Sequence, residues 1–462
     1  MSAGQSAVSG PGGQDPGRRV VVVGAGFAGL AVASELAGAA VSVTLVDRHH
    51  FNTFQPLLYQ VATAGLNPGD IAYPVRSYVK AYPATDFRRG VVSGVDLGAR
   101  VVCFEDGGTL GYDYLVLAAG ATTNHFGVPG AVEHSRAIYT MEDALAVRSQ
   151  IFNLLEAAAA RTLDGSASGG SARDGSASGG SASGGSAAGL TVVVVGGGPT
   201  GIEMSGTLAE LLAMELGTAY PDLSPDEAQV MLVEQSDRLL AAFHPKLGRY
   251  AERVLRRLGV EVRLSQAVTS IEEGKVTLSS GEVIGCGLVV WAAGVGAGPL
   301  AASLDVTKAR GGRLAVGPDL RLVGQDSAFA IGDMAGALAE PGGSGRSAAG
   351  SGRSGGALLP QLAQPAIQEG RHAGRQIRRL MEGLDTVPFA YHDKGTMATI
   401  GRRAAVAQLP GGIRLSGTAA WLAWLGLHLV TLVGFRNRAS VLLNWAWRYA
   451  SWHRGTRVIV GD

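Results

Sequence analysis

One supersecondary unit occurs twice in this chain, and it leaves few folds open. The run Val20-Val21-Val22-Val23 reads as a strand buried on both faces of a parallel sheet. It breaks into Gly24-x-Gly26-x-x-Gly29 and then into a helical pattern reaching about Leu36. Gly24 is expected to make the tight turn, Gly26 to let backbone approach a pyrophosphate, and Gly29 to let helix and strand pack closely. The helix N-terminus offers unpaired N–H groups to the phosphates. A second apolar strand, Val41 to Val46, ends in Asp47, at about the ~20-residue spacing of a ribose-hydroxyl acceptor. The unit returns as Leu190–Val195, then Gly196-x-Gly198-x-x-Gly201, a helix to about Leu216, and a strand from Val230 that ends in Glu234. Here an excursion from Tyr220 to Pro225 lengthens the gap between the glycines and the acid. A lone G-x-G-x-x-G is a weak signal. Strand, turn, helix, strand and acid in register, twice, predict an α/β protein with two Rossmann-like dinucleotide-binding domains.

Other classes are excluded more simply. A formal charge of +1 over 462 residues argues against nucleic-acid binding by bulk electrostatics. The two cysteines, Cys103 and Cys286, form no C-x-x-C spacing, so neither a redox disulfide nor a zinc site is indicated, and both read as buried core residues. No metal site is expected. The first 17 residues are rich in Gly, Ser, Pro and Gln and lack an apolar run, which reads as a disordered arm rather than a signal peptide, with the chain on the cytosolic side.

The rest of the chain arranges itself around the two units. Residues 18–160 form the first part of one dinucleotide domain. Residues 161–189, dominated by Gly, Ser and Ala from residue 164 onward, read as a disordered insertion after a helix from Met141 to about Ala160. Residues 190–312 form the second domain. Residues 313–390 return to the first, interrupted by a second Gly/Ser insertion over 340–356. Phe87 to Phe104 alternates as a strand pair with Val91, Val95, Val101 and Phe104 inward. The strand from Tyr112 ends in Ala118-Ala119-Gly120, small residues that let backbone approach a cofactor. In Ala330-Ile331-Gly332-Asp333, the aspartate after a buried strand suits a cofactor's hydroxyls, or a plain helix cap. Strands are also expected at Glu261–Leu264, Lys275–Leu278 and Leu288–Gly294, the last with an Ala-Ala-Gly end like that of the first domain.

Residues 391–462 differ in character. From Lys394 to Val460 there is no acidic residue, and five of the six tryptophans lie here. Thr418 to Phe435 carries no charge beyond His428; as a helix it would reach about 27 Å, slightly short of the ~30 Å hydrocarbon core. The next helix, Ser440 to His453, is amphipathic, with Val441, Trp445, Tyr449 and Trp452 on a face opposite Asn444, Arg448 and Ser451. Tryptophans and arginines suit a membrane interface. A pair of helices lying in one leaflet is therefore expected, ahead of a buried hairpin, a dimer interface or a true span.

Two facing nucleotide sites suggest a flavoprotein that accepts hydride from a nicotinamide cofactor. The first site would hold FAD, with Asp333 returning late in the chain. The second would hold NADH, with Glu234 repelling the 2′-phosphate of NADPH. Without a cysteine pair, and with a membrane-seated tail, the second acceptor reads as a quinone. A soluble reductase of a ferredoxin-like or small-quinone acceptor is the alternative; it has no need of the tail.

These residues resemble the type II NADH:quinone oxidoreductases, single-subunit respiratory NADH dehydrogenases. The motifs that carry the resemblance are Gly24-Ala-Gly-Phe-Ala-Gly29, Phe54-Gln-Pro-Leu-Leu-Tyr-Gln-Val61, Gly196-Gly-Gly-Pro-Thr-Gly-Ile-Glu203, Ala330-Ile-Gly-Asp-Met334 and Ala363-Gln-Pro-Ala-Ile-Gln368. The tail is most similar to the actinobacterial branch, which implies menaquinone. The resemblance implies that Glu203 lies near the flavin and nicotinamide rings, and that Gln364 and Gln368 stand on the quinone side. It implies a homodimer, peripheral on the cytoplasmic face of the cell membrane, without proton pumping. Pro365, where relatives carry an N–H, departs from the pattern.

Overall fold

The computed structural model describes residues 17–168, 189–339 and 357–451. The expectations for the N-terminal arm, for most of the first Gly/Ser insertion and for all of the second fall outside these residues, as do Trp452, Arg454 and Arg457.

The first nucleotide-binding half is built from β1 (Arg18–Val23), α1 (Phe27–Glu35), β2 (Val41–Asp47), β3 (Thr85–Arg89) and β4 (Tyr114–Leu117). β1 lies in the middle of its sheet, with Val22 opposite Leu45 on one side and Val116 on the other, which is why four consecutive valines are tolerated there. The helix α2 (Met141–Ser168) then crosses to the second half. It runs on to Ser168 rather than stopping near Ala160, although Arg161–Ser168 holds only one alanine: once a helix is nucleated, each added residue gains a backbone hydrogen bond.

The second half repeats the plan with β5 (Leu190–Val195), α3 (Pro199–Leu216), β6 (Ala228–Val233), β7 (Glu261–Arg263) and β8 (Leu288–Trp291). β5 is again flanked on both sides, by β6 and β8, in parallel register. A short strand, Arg136–Ala137, adds to β8 at the edge. β9 (Ala328–Ala330) returns to the first sheet beside β4, giving the order β9-β4-β1-β2-β3. The long helix α4 (Ala363–Met381) packs along α1, with Gly370 against the Ala28 carbonyl and Gly374 against Glu35. Pro365 falls in the first turn of α4, where its missing N–H has no intrahelical partner to lose.

The segment from Phe87 onward differs from its expected strand pair. Phe87 belongs to β3 of the main sheet, and a separate three-stranded meander follows, with strands Val92–Asp96, Val101–Phe104 and Thr109–Gly111. Val91 lies between them and is 42% exposed, not inward. Of the cysteines, Cys286 is buried and Cys103 half-buried.

The C-terminal region is an antiparallel sheet, β10 (Thr396–Gly401), β11 (Ala404–Gln408) and β12 (Arg414–Ser416), followed by α5 (Thr418–Thr431) and α6 (Phe435–Ser451). The long apolar stretch breaks at Leu432–Gly434, so α6 starts five residues earlier than expected. Among the described residues no helix is long and apolar enough to cross a membrane.

Val441 and Trp445 share one face of α6 as expected, but that face turns to the protein core and not outward. Val441 and Trp445 point inward, 0% and 3% exposed, into the core that includes Leu57, Val61 and Trp424. Asn444, expected on the opposite face, donates to Asp70 Oδ2 (2.9 Å). The outward apolar residues are Leu442, Leu443 and Trp447, joined by Phe435 and, on α5, by Leu422, Leu427 and Val430. α6 has two apolar stripes, and hydrophobicity alone does not choose between them. On the inward stripe, Trp445 Nε1 donates to buried Gln60 Oε1 at 2.8 Å.

Candidate functional site

The two glycine turns have the same construction. Gly24 and Gly196 sit at φ +111° and +108°, and a side chain on either would strike the opposing strand end, at Ala118 and at Ala292–Ala293 respectively. A Cβ on Gly29 would strike the Gly24 carbonyl, and one on Gly201 the Gly196 carbonyl. By contrast, nothing lies within 4 Å of where a Cβ would stand on Gly26 or Gly198. Those two positions open onto free space at the N-termini of α1 and α3, where a dinucleotide's pyrophosphate needs backbone N–H groups without side chains.

The acids at the ends of the second strands also match each other. Asp47 accepts from the Ala25 N–H (2.7 Å) and the His49 N–H (2.8 Å). Glu234 accepts from the Gly197 N–H (2.5 Å) and the Ser236 N–H (2.7 Å). Each carboxylate thus ties the glycine turn to the strand end beside the ribose position and keeps acceptor capacity for hydroxyls. Asn52, buried, donates to the Ala25 carbonyl (2.8 Å) and fixes the first turn from the other side.

Asp333 is brought to Tyr139, 194 residues away in sequence: the phenol donates to Asp333 Oδ2 at 3.0 Å and accepts from the Ala121 N–H at 3.1 Å. Gly120, at φ +73°, lies directly against this hydroxyl. Burial pushes the Asp333 carboxyl above its ordinary value, against the Tyr139 hydrogen bond and the Arg313 guanidinium. Behind Asp333, buried Glu369 accepts from the Gly332 N–H (2.5 Å) and holds the turn that presents the aspartate; burial pushes Glu369 up to about 8. Tyr139, Asn52 and Glu369 were not identified from sequence. No motif marks them, and only the fold brings them together.

Glu203, on the second turn of α3, accepts from the Thr399 N–H of β10 (3.3 Å), and burial pushes its carboxyl up to about 8. β10 comes this close because Gly206, one turn later on α3, leaves room for the Ile400 carbonyl. At the start of α4, Gln364 is half-buried. Gln368, one turn on, is engaged at both ends of its amide: Nε2 donates to the His392 carbonyl and Oε1 accepts from the His392 N–H, both at 3.0 Å. His428, wedged between Trp424 and Phe54, is driven down to about 4 by burial, so it is neutral at physiological pH. No cluster of potential metal ligands occurs among the described residues.

The residues present fit FAD in the first cradle: an open phosphate turn at Gly26, an acid at Asp47, and Asp333 presented by buried supports. They equally fit a nicotinamide dinucleotide in the second.

Residues 18–370 match the family model described as pyridine nucleotide-disulphide oxidoreductase, and residues 393–450 match the NDH2 C-terminal domain. The type II NADH:quinone oxidoreductase NdhA of Mycobacterium tuberculosis is 36% identical over 460 residues, covering 96% of this chain and 90% of that protein. Its counterpart Ndh from the same organism is 35% identical, with 97% and 92% covered. Among solved structures, NDH2 from Plasmodium falciparum in complex with NADH superposes with a TM-score of 0.80 at 18% identity over 96% of this chain and 99% of that one, a likeness of fold. With its paired cradles and its C-terminal domain, the chain belongs to the type II NADH:quinone oxidoreductases.

Proposed function

We propose that this enzyme passes electrons from NADH, by way of FAD, to a membrane quinone, without proton pumping. The observation that carries the reading is the doubled cradle, two open phosphate turns each tied to its own strand-end acid. FAD, when bound, supplies the two-electron acceptor. The chain's own residues hold and align the partners: Gly24, Gly26, Gly29, Asp47, Gly120 and Asp333 for FAD, and Gly196, Gly198, Gly201 and Glu234 for NADH. The balance is NADH, a proton and quinone giving NAD⁺ and quinol. The overall test is NADH oxidation by purified protein with a lipid quinone in vesicles; reduction of the flavin by NADH without quinol formation would overturn the quinone assignment.

The finer assignments are proposals of the same kind. Menaquinone is the proposed quinone, in keeping with the likeness of the tail to actinobacterial relatives. The exposed apolar faces of α5 and α6 lie in one leaflet on the cytoplasmic face, and the enzyme is a homodimer. Gln364 and Gln368 stand on the quinone side, Gln368 by anchoring the His392 backbone.

Glu203 is the proposed acid near the rings. A carboxyl raised to about 8 is largely protonated at neutral pH and can give up a proton where quinone needs one. Turnover should fall as pH rises through about 8, and Glu203→Gln should lack that limb. The stability effect has a definite sign. A folded pKa above the unfolded value means that ionisation opposes folding, by an amount that grows from about 4.5 to about 8 and is complete above. Raising the pH from about 6 to about 9 should therefore cost the wild type more thermal stability than Glu203→Gln. Identical pH–rate profiles would remove Glu203 from the chemistry.

Glu234→Ala should narrow the preference for NADH over NADPH roughly tenfold, the order expected for losing one charge-assisted contact to a ribose. The ratio of kcat/KM values measures it. An unchanged ratio would mean that Glu234 serves only the Gly197 turn.

A further inference from the structure

Beyond the nucleotide cradles and the apolar helices, a strongly cationic groove of about 540 Å³ runs along the outer face of α4. Arg371, Arg375 and Arg379 follow one another at four-residue spacing and so share one side of the helix. Lys394 closes the groove beyond the segment Val387-Pro388-Phe389-Ala390, which forms an apolar wall. No carboxylate lines it. The nearest ion pair across its edge, Arg375 to Glu35, is long at 3.9 Å. His372, buried under the groove, is driven down to about 4, first by burial and then by Arg375, which fits a positive local potential.

The groove connects to the helices that carry the membrane reading. Arg371 lies close enough to Tyr78 to act on its phenol, and Tyr78 donates to the Leu30 carbonyl of α1 at 3.1 Å. Five residues earlier, in the short strand Ala72–Pro74 that precedes the helix Val75–Val79, the Tyr73 ring packs on Gly434, in the turn between α5 and α6. Asn437 of α6 also donates to the Ala72 carbonyl at 2.9 Å. Phe435, the next residue after that turn, is 86% exposed. A row of cations beside an apolar wall, next to an exposed apolar turn, suits a molecule with an anionic head and an apolar stem.

We propose that this groove binds the phosphate headgroup of an anionic phospholipid, with the arginine row against the phosphate and the Val387–Ala390 wall against the glycerol and upper acyl chain. The site rests on the reading that α5 and α6 lie in a leaflet, but it makes a separate contribution that depends on headgroup charge.

The test is vesicle co-sedimentation of the FAD-loaded enzyme with phosphatidylcholine alone and with phosphatidylglycerol added. Wild type should bind the anionic vesicles roughly tenfold or more tightly than the neutral ones. Arg371→Glu with Arg375→Glu, both at exposed positions, should lose that increment while keeping its binding to neutral vesicles, its flavin and its melting temperature. A charge-matched control, Arg253→Glu with Lys275→Glu, both exposed on the NADH-binding half, should keep most of the increment. If the control loses as much as the groove variant, the effect is bulk charge and the site is overturned. If neither protein binds neutral vesicles, the leaflet reading of α5 and α6 fails separately. Inorganic phosphate, titrated at constant ionic strength without vesicles, gives the remaining arm. A phosphate-dependent rise in melting temperature that the groove variant loses, with its lipid increment intact, would assign the groove to free phosphate instead.

Discussion

Purified Gly26→Val protein should be folded but colourless. Nothing stands within 4 Å of the added Cβ, so the apoprotein has room for it, whereas the pyrophosphate that needs this space does not. Flavin content and NADH oxidation should each fall at least a hundredfold, with the far-ultraviolet spectrum unchanged. The equivalent change in the second cradle, Gly198→Val, should leave a yellow protein with full flavin and raise KM for NADH by about two orders of magnitude. Gly24→Val, at φ +111° and against the Ala118 carbonyl, should not fold at all. The three outcomes separate a folding glycine from two ligand glycines and tell the cradles apart. Stoichiometric flavin on Gly26→Val would overturn the assignment of the first cradle.

The second large effect concerns the membrane. Removing residues 414–462 is a poor test of membrane binding. Trp424, Val441 and Trp445 belong to the main core with Leu57 and Val61, so truncation would expose that core and confound loss of binding with loss of fold. Phe435→Ser with Leu443→Ser is the cleaner change, at 86% and 69% exposure. Each apolar side chain withdrawn from a bilayer loses about 2 kcal/mol. Partition onto neutral vesicles should therefore drop on the order of a hundredfold or more. Turnover with NADH and a water-soluble acceptor should persist, while turnover with a lipid quinone should collapse. Undiminished partitioning would show that this face does not enter the leaflet.

How much of this was legible in the chain follows from the range of each interaction. The cradles were legible because strand, turn, helix and acid are written within one short stretch each, residues 18–47 and 190–234, and each glycine's role is steric and local. Tyr139 was not, because its partner Asp333 lies 194 residues away and neither flank carries a periodic signal. Glu369 has no local signature; packing of α4 against α1 places it beneath Gly332. Gly206 likewise is explained only by a distant strand that lays its backbone across α3. The inward face of α6 makes the same point: both stripes are apolar, and the contact of Trp445 with Gln60, 385 residues upstream, carries no local signal.

The attachment of α6 has one more implication. Asp70 accepts from Ser440 at 2.6 Å and from Asn444 at 2.9 Å while also capping its own short helix through the Asn67 N–H. The segment it anchors to begins at Phe54, whose ring meets Phe27 of α1 in an edge contact. The two helices are therefore held rigidly to the flavin half and not tethered to it. With α5 and α6 seated in a leaflet as proposed, these bonds would fix the tilt and height of the whole flavin half above the lipid.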